Sequence, residues 1–342
     1  MRQGGDLTRG YTFGVGAAAV LSTTAVFIRY LTETYAMPPL VLAFWRDVFV
    51  VVALVPVLAV ARPELLRVPR RHLGYLVGYG LLLSVYNAMW TFSVAMNGAA
   101  VATVLIYSSA AFTALFGWWL LREHLGWAKL LAVGLSLTGC WLVAGLGGAG
   151  ETVGAAGGGV MGALVGIGSG LCYTAYTLMG RKAWQRGLNP WTTVLYIFVF
   201  ASCFLALPSF FGGAGLPGAA PNVAGLFYLG RAWVGWLVLF VLGAGPTVLG
   251  YGLYNMALTH LPSSVAQLIV TLEPVFTAVL AYTLLAERFA PAQVAGGLLT
   301  LGAVVFLRVY EGRVRRVGAT VAGGGGAGEG TAVPAKSSSA DG

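Results

Sequence analysis

Long apolar segments, separated by short charged turns, constrain this chain more than any other feature of its sequence. An α-helix needs about 20 apolar residues to cross a hydrocarbon layer of roughly 30 Å. Backbone in lipid must also satisfy its own polar groups, which a helix does within one segment. The sequence therefore predicts an all-α integral membrane protein with ten transmembrane helices. Their predicted ranges are 11–28, 38–60, 73–95, 99–121, 126–146, 159–180, 190–211, 233–258, 263–286 and 291–307.

The charges are few and lie unevenly between these segments. Only 9% of the 342 residues are charged and 58% are hydrophobic, which leaves too little polar material for a water-soluble surface. The net charge of +9 does not indicate a nucleic-acid partner, because the basic residues lie mainly in turns on one side of the bilayer. This bias predicts a multi-pass plasma-membrane protein with both termini cytoplasmic. The basic residues of the cytoplasmic side include Arg62, Arg67, Arg70, Arg71, Arg122, Lys129, Arg181, Lys182, Arg186, Arg308, Arg313, Arg315 and Arg316. Those of the opposite side are Arg29, Arg231 and Arg288.

Glycine-rich stretches and the chain ends mark the boundaries of the predicted domains. Residues 1–10 are predicted as a cytoplasmic N-terminus, and the first span as an uncleaved helix rather than a signal peptide, because cleavage would leave an odd number of helices. A flexible linker is predicted at 147–158, within "GLGGAGETVGAAGGG". The Gly/Ser/Ala-rich residues 309–342 are predicted as a disordered cytoplasmic tail. Two five-helix domains remain, 11–146 and 159–308.

The two domains carry related sequences. A shift of 164 residues aligns "VATVLIYSSAAFTALFGWWLLRE" (101–123) with "VAQLIVTLEPVFTAVLAYTLLAE" (265–287). A repeated unit with five helices must enter the membrane in the opposite orientation the second time. Inverted repeats of this kind are typical of secondary transporters, which expose one central site to each side in turn.

Further motifs in both repeats resemble a known family. The second repeat reads "LGYGLYNMALTHLPSSVAQLIVTLEPVFTAVLAYTLLAERFAPAQVAGGLLTLGAVVFL" (249–307), with Glu-Pro inside its ninth span and Glu287 closing that span. The first repeat contributes "PPLVLAFWRDVFVV" (38–51) and "AAVATVLIYSSAAFTALFGWWLLREHLG" (99–126). Across both repeats the chain resembles the EamA-domain carriers of the drug/metabolite transporter superfamily. This resemblance implies a ten-helix secondary transporter of small organic metabolites.

Glu273 and Pro274 are the residues least expected in an apolar span. Glu273 lies about 15 Å from the predicted start of its helix, where a carboxylate costs several kcal/mol unless it is neutral, paired or facing water. It is therefore either a coupling or substrate-binding group, or a structural partner of Arg46 or of backbone donors. Pro274 lacks an N–H and predicts a bend near Glu273. Thr277 lies on the same helical face, and the equivalent of Glu273 in the first repeat is Ser109.

Arg46 and Asp47 are predicted roughly 12 to 14 Å deep in the second span. Adjacent residues of a helix point about 100° apart, so both side chains cannot face one partner equally. Arg46 is a candidate ligand for Glu273 or for a substrate carboxylate, because a guanidinium pairs with carboxylates in a bidentate way. The alternative is an internal ion pair, with Asp47 turned to another helix. Two residues depart from the pattern of the resembled family. Asp47 directly follows the arginine of the second span, and Ala110 stands where that family commonly has proline.

Aromatic residues and amides occur together in the third and eighth spans. Aromatic walls with a few amides suit a pocket for a small amphipathic solute, although amides also link membrane helices structurally. A Tyr-Asn pair occurs in both repeats, which favours the central cavity where inverted copies face each other. The candidate residues are Tyr86, Asn87, Trp90, Tyr251, Tyr254 and Asn255.

Other patterns indicate no further chemistry. "GLGGAG" at 145–150 follows a membrane span rather than a strand, and no P-loop occurs, so no nucleotide site is predicted. The three cysteines and three histidines have neither disulfide nor metal-ligand spacing, so no metal or cofactor is predicted. No nucleophile with a base lies at depth, which argues against an enzyme. "GYLVG" (74–78) and "GALVGIGSG" (162–170) are predicted to pack helices through small residues.

The expected protein is a carrier that moves small organic metabolites, amino-acid-like or drug-like, by alternating access around a central cavity. Its partners are a small-molecule solute and the lipid bilayer. Export and the solute class follow from the family resemblance alone. One alternative is a membrane sensor or scaffold that binds a ligand without moving it, although no folded output domain is visible. Another is a nucleotide-sugar or sugar-phosphate carrier, which would favour several deep cations where only Arg46 is deep.

Overall fold

The computed structural model describes residues 2–109, 112, 127–143, 159–211, 216–260, 269–270 and 272–324, and these residues contain no β-strand. Helices are favoured because an apolar segment in lipid must pair its own backbone N–H and C=O groups, and an α-helix does so within the segment. The helices are, in chain order, α1 (Arg2–Thr34), α2 (Pro39–Ala61), α3 (Leu73–Asn97), α4 (Ala99–Ile106), α5 (Trp127–Val143), α6 (Gly159–Gln185), α7 (Pro190–Phe210), α8 (Trp233–Leu242), α9 (Val248–His260), α10 (Glu273–Leu284) and α11 (Pro291–Gly324).

The described helices include five that are long and apolar enough to cross a membrane, by length and composition. Large apolar side chains such as Val57, Leu164 and Phe210 remain exposed along them, as expected of side chains that face lipid. The predicted all-helical, multi-pass fold is confirmed, whereas the predicted number of ten spans stays a prediction. The fourth, fifth and ninth predicted spans fall partly on residues outside the described part of the chain. The five spans are Thr8–Thr34, Pro39–Ala61, Gly159–Gly180, Pro190–Phe210 and Trp233–Tyr254.

Some helix boundaries differ from the predicted ones. α1 begins at Arg2, within the predicted N-terminal segment, and α11 continues to Gly324, within the predicted tail. The predicted eighth span is divided into α8 and α9 by a π-helical turn, Gly243–Thr247, which contains Pro246. Proline removes one N–H from the helix ladder, and a wider turn accommodates the loss. The predicted linker, 147–158, lies outside the described residues.

The two repeats interlock. α1, the first helix of the first repeat, packs against α9 and α10 of the second repeat. α6, the first helix of the second repeat, packs in the same way against α3 and α4 of the first. Two further pairs of helices pack across the repeats, α2 with α7 and α5 with α11. Each repeat therefore completes the helix packing of the other.

The sequence repeat reappears in this packing at one equivalent pair of residues. Leu105 and Ile269 are aligned by the 164-residue shift. Leu105 lies so close to Gly166 of α6 that a Cβ atom on the glycine would collide with it. Ile269 lies against Gly14 of α1, where a Cβ atom would come within 3.2 Å of its side chain. The same position of each repeat thus packs on a glycine in the first helix of the other repeat.

The two predicted small-residue packing motifs have different outcomes. The prediction for 162–170 is confirmed, because Cβ atoms on its glycines would collide with α3 or α4 residues. The prediction for 74–78 is wrong, since a Cβ atom on Gly74 or Gly78 would meet nothing within 4 Å. α3 turns a different face inward, and its contact glycine is Gly80, which lies against Phe200 of α7.

Candidate functional site

Asp47 lies fully buried in α2 and is bound from two sides. Asn87 of α3 donates through Nδ2 to both carboxylate oxygens of Asp47, each at 2.8 Å. Nε of Arg46 lies 3.6 Å from Oδ1 of Asp47 and, within the described residues, makes no hydrogen bond. The structure thus turns Asp47 toward another helix, and the neighbouring guanidinium stays beside it. This arrangement ties α2 to α3 through a buried charge.

Glu273 has different surroundings at the start of α10. The hydroxyl of Tyr107, at the end of α4, lies 3.3 Å from Oε2 of Glu273 and 3.0 Å from the carbonyl oxygen of Val270. Among the described residues no Lys or Arg side chain pairs with Glu273, so the Arg46–Glu273 pair considered from the sequence is not formed. The side chain of Glu273 is only partly buried. It is therefore a carboxyl group with a neutral donor and an accessible side.

Pro274 and Thr277 fix the first turn of α10. Pro274 lies in that turn, where its missing N–H has no helical partner to lose. The bend predicted there stays a prediction, since Thr271 lies outside the described residues. The buried Thr277 hydroxyl lies 2.9 Å from the carbonyl oxygen of Glu273 and 3.3 Å from that of Ser22 in α1.

Ser109, the counterpart of Glu273, lies beside the first helix of the opposite repeat. Ser109 is buried, and its carbonyl oxygen accepts a hydrogen bond from the Thr174 hydroxyl of α6 at 3.0 Å. In both repeats a threonine hydroxyl therefore joins this region to the first helix of the opposite repeat. The carboxyl group is present on one side only.

The predicted aromatic and amide residues are distributed more widely. Tyr86 packs against two clusters of buried apolar side chains, one that contains Leu42 and one that contains Ile197. Its ring centroid lies 5.6 Å from that of Tyr173 and 6.0 Å from that of Tyr176, both on α6. Trp90 is buried in the hydrophobic core, which is a packing environment. Tyr254 is partly buried on α9. Tyr251 and Asn255 belong to the same helix, but their side chains lie outside the described part of the structure.

The π-helical turn approaches α2 beside the Arg46–Asp47 pair. A Cβ atom on Gly243 would come within 2.9 Å of the carbonyl oxygen of Arg46 and 2.8 Å of the Phe49 side chain. Only a glycine permits this separation without displacing α2. π-Helical turns within α-helices occur frequently at functional sites. The irregular turn therefore borders the buried charge pair.

A second polar contact joins the repeats at the ends of α1, α3 and α10. Glu287 accepts hydrogen bonds from the backbone N–H groups of Ala99 at 2.8 Å and Ala100 at 3.4 Å, which caps α4. Nε of Arg29 lies 3.8 Å from Oε1 of Glu287, and Nη1 of Arg29 donates to the carbonyl oxygen of Ala95 at 2.8 Å. A carboxylate at a helix N-terminus is stabilised by the helix dipole. One side chain from the second repeat therefore closes the α3–α4 junction of the first.

The backbone on both sides of this contact is specialised. Gly98 has φ of +85°, and a Cβ atom there would lie 2.8 Å from Oε1 of Glu287. Ala286, two residues beyond α10, has φ of +53°, and the N–H of the following Glu287 bonds to the carbonyl oxygen of Ala281 at 3.1 Å, which satisfies a carbonyl at the helix end. Burial raises the pKa of Glu287, while the Ala99 and Ala100 donors and Arg29 act in the opposite direction.

Three residues near the two polar contacts were not predicted as site residues from the sequence. They are Tyr107 and Tyr173, on the side of Glu273, and Arg29, beside Glu287. Tyr107 precedes Ser109 by two positions in the aligned repeat, and this proximity was the available signal. Arg29 was visible as a rare cation on the sparsely charged side. Tyr173 carries no sequence signal that separates it from other aromatic residues of a membrane helix.

An apolar helical bundle of two interlocked repeats, with carboxyl groups, a guanidinium and an amide buried between its helices, defines a polytopic membrane transporter. The model of the EamA-like transporter family matches residues 8–145 and 160–309, one match for each repeat. The chain belongs to this family, and it is a membrane transporter rather than an enzyme.

Named relatives and a solved structure agree with this assignment. A protein of Salmonella typhimurium (strain LT2), described as a "probable amino-acid metabolite efflux pump", is 27% identical over 292 residues, covering 85% of this chain and 92% of the relative. A protein of Escherichia coli (strain K12) with the same description is 25% identical over the same shares. One crystal structure matches with a TM-score of 0.55 at 20% identity, covering 87% of this chain and 94% of that one. This last likeness supports the fold.

Proposed function

We propose that the protein is a secondary exporter of small organic metabolites, amino-acid-like or drug-like, with a central cavity near α2, α3, α4, α9 and α10. The names of the Salmonella and Escherichia relatives support export. The interlocked repeats support alternating access, because the first helix of each repeat packs on the other repeat and inverted repeats of this kind move against each other around a central site.

The surroundings of Glu273 are the observation that carries this proposal. A carboxyl group in an ion pair must break that pair to take up a proton, and Glu273 has no such pair among the described residues. Its neutral donor, the Tyr107 hydroxyl, has the carbonyl of Val270 as a second acceptor. Ionisable groups inside membrane bundles commonly mark proton or substrate pathways. Glu273 is therefore the proposed coupling carboxylate, and Asp47 is the proposed structural one.

The contact between Arg29, Glu287 and the start of α4 is proposed to close one side of the transporter. The distribution of basic residues assigns that side to the exterior and both termini to the cytoplasm. Opening there requires the N-terminus of α4 to leave Glu287, or the contact to move as one body. The hydrogen bonds from the start of α4 to Glu287 are either formed or broken, so this contact can separate a closed state of the transporter from an open one.

Transport by purified protein in proteoliposomes tests the proposal. The wild type is expected to exchange radiolabelled amino acids in counterflow and to respond to an imposed pH gradient. Glu273→Gln removes the titratable group and keeps the size, so the pH response is expected to disappear. Glu64→Gln is the matched control, because Glu64 is an exposed carboxylate in the turn between α2 and α3.

Two results would contradict the proposal. Full pH-dependent transport by Glu273→Gln at normal yield would rule out coupling through this group. Saturable ligand binding by the wild type without any counterflow would indicate a sensor rather than a carrier.

A further inference from the structure

α6 carries exposed residues on two opposite sides. Leu164 is 60% exposed and Leu171 is 39% exposed, and their spacing of seven residues puts them on one face. Tyr173 is 37% exposed, but it follows Leu171 by two residues and therefore points about 200° away. The leucine face suits contact with lipid. The tyrosine face needs a different explanation, because a hydroxyl group near the middle of a membrane helix is unfavourable against hydrocarbon.

The neighbours of Tyr173 show which space its face borders. The centroid of its ring lies 5.6 Å from that of Tyr86 on α3 and 6.1 Å from that of Tyr176. The rings of Tyr173 and Tyr176 are nearly parallel, with an angle of 13° between their planes. Thr174, the next residue of α6, donates to the carbonyl oxygen of Ser109, two residues beyond Tyr107, and the Tyr107 hydroxyl lies 3.3 Å from Oε2 of Glu273. The accessible side of Tyr173 therefore borders the interior region beside Glu273, away from the lipid face of α6.

The charges of this region favour one kind of solute group. The faces of tyrosine rings attract cations, and ammonium groups with methyl or methylene substituents bind well against such faces. Glu273 adds a carboxyl group that has no cationic partner among the described residues. The buried guanidinium of Arg46 lies beside Asp47 instead. A cationic group is therefore accommodated better here than an anionic one.

We propose that Tyr173, together with Tyr86 and Glu273, forms a subsite for an organic ammonium group, so that the transported solutes carry a protonated or quaternary amine. This inference rests on the proposed function, because it places the solute in the same central region. It adds a residue of α6 to the binding site and a charge requirement to the solute.

Calorimetric titration of the purified full-length protein with benzyltrimethylammonium tests the subsite. This probe has a fixed charge and no acidic proton, so its binding reports the attraction of the cation itself. We expect Tyr173→Leu to weaken binding about tenfold, which corresponds to about 1.4 kcal/mol, because leucine offers the cation no π face. Tyr173→Phe keeps the ring and is expected to bind within about twofold of the wild type. Leu171→Ala, on the lipid face, is the matched control and is expected to bind normally.

The outcomes separate this inference from the proposed function. Equal binding of benzenesulfonate, no binding of benzyltrimethylammonium, or wild-type affinity of Tyr173→Leu would each overturn the subsite. If amino-acid counterflow persists in those cases, the transporter assignment stands alone. If the probe binds as expected but no solute exchanges, the subsite stands and the carrier function fails. Should Tyr173→Leu not fold, Tyr173→Met takes its place, because it retains bulk without the π face.

Discussion

At the residue scale, two carboxyl groups of similar predicted depth in the bundle differ in what surrounds them. Asp47 has a guanidinium beside it and an amide that binds both of its oxygens. Glu273 has a phenol hydroxyl and an accessible side. A fully bound carboxylate is costly to change, whereas a singly bound one can exchange its partner for a proton or a solute. The difference in partners therefore separates a structural group from a functional candidate.

Removing the amide of Asn87 tests the structural role of Asp47. Asn87→Ala leaves a buried carboxylate without its two 2.8 Å donors, so we expect a loss of roughly 1 to 3 kcal/mol of stability. Thermal unfolding in detergent measures it. Asp47→Leu is expected to cost more than Asn87→Ala, because it leaves the buried Arg46 guanidinium without the carboxylate beside it. An unchanged midpoint in Asn87→Ala would contradict the assigned role.

At the element scale, close helix approach depends on where a glycine faces. Gly166 and Gly78 are both helical glycines spaced four residues from another glycine. Gly166 lies against Leu105 of α4, whereas Gly78 faces open space. Sequence spacing is identical in the two cases, and only the rotation of each helix decides which glycine makes a contact.

Alanine substitution separates the two positions. Gly166→Ala is expected to destabilise the protein by about 1 to 3 kcal/mol, because the added methyl group collides with Leu105. Gly78→Ala is the matched control and is expected to be neutral or stabilising by up to about 1 kcal/mol, from helix propensity alone. Midpoints of thermal unfolding measure both variants. Equal effects at the two sites would show that α4 does not pack on α6 in this way.

The cap on α4 gives a second element-scale prediction. Glu287→Ala removes the acceptor for the N–H groups of Ala99 and Ala100, and the expected loss is about 0.5 to 2 kcal/mol. Glu33→Ala is the matched control, because Glu33 also pairs with Arg29 but is exposed and caps no helix. Hydrogen exchange of the Ala99 and Ala100 amides measures the local effect. Unchanged protection in Glu287→Ala would contradict the cap.

At the scale of the whole molecule, the repeats exchange their first helices, so neither repeat is complete alone. α1 lies on α9 and α10, and α6 lies on α3 and α4. Leu105 and Ile269 show the relation at one position, since each meets a glycine of the opposite repeat. A change in the angle between the repeats must therefore move polar contacts of both.

The orientation of the chain is a prediction at this scale. Arg67, between α2 and α3, and Arg231, before α8, are both exposed and are expected on opposite sides of the membrane. In a background without Cys140, Cys172 and Cys203, a membrane-impermeant thiol reagent added to intact cells is expected to label Arg231→Cys and leave Arg67→Cys unlabelled. Labelling after permeabilisation is the control. Labelling of Arg67→Cys in intact cells would reverse the assigned topology.

The helical membrane class, the internal repeat and the family resemblance can be read from the sequence alone, because apolar length and repeated motifs do not depend on how the helices pack. The sequence also identified Glu273, Arg46, Asp47 and Asn87 as polar residues inside the bundle. Which of them meet was decided only by the tertiary structure. The rotation of each helix turns Asp47 to Asn87, brings Tyr107 to Glu273 and points Tyr173 inward. These contacts join residues that are far apart in the chain, so no spacing within the sequence predicts them.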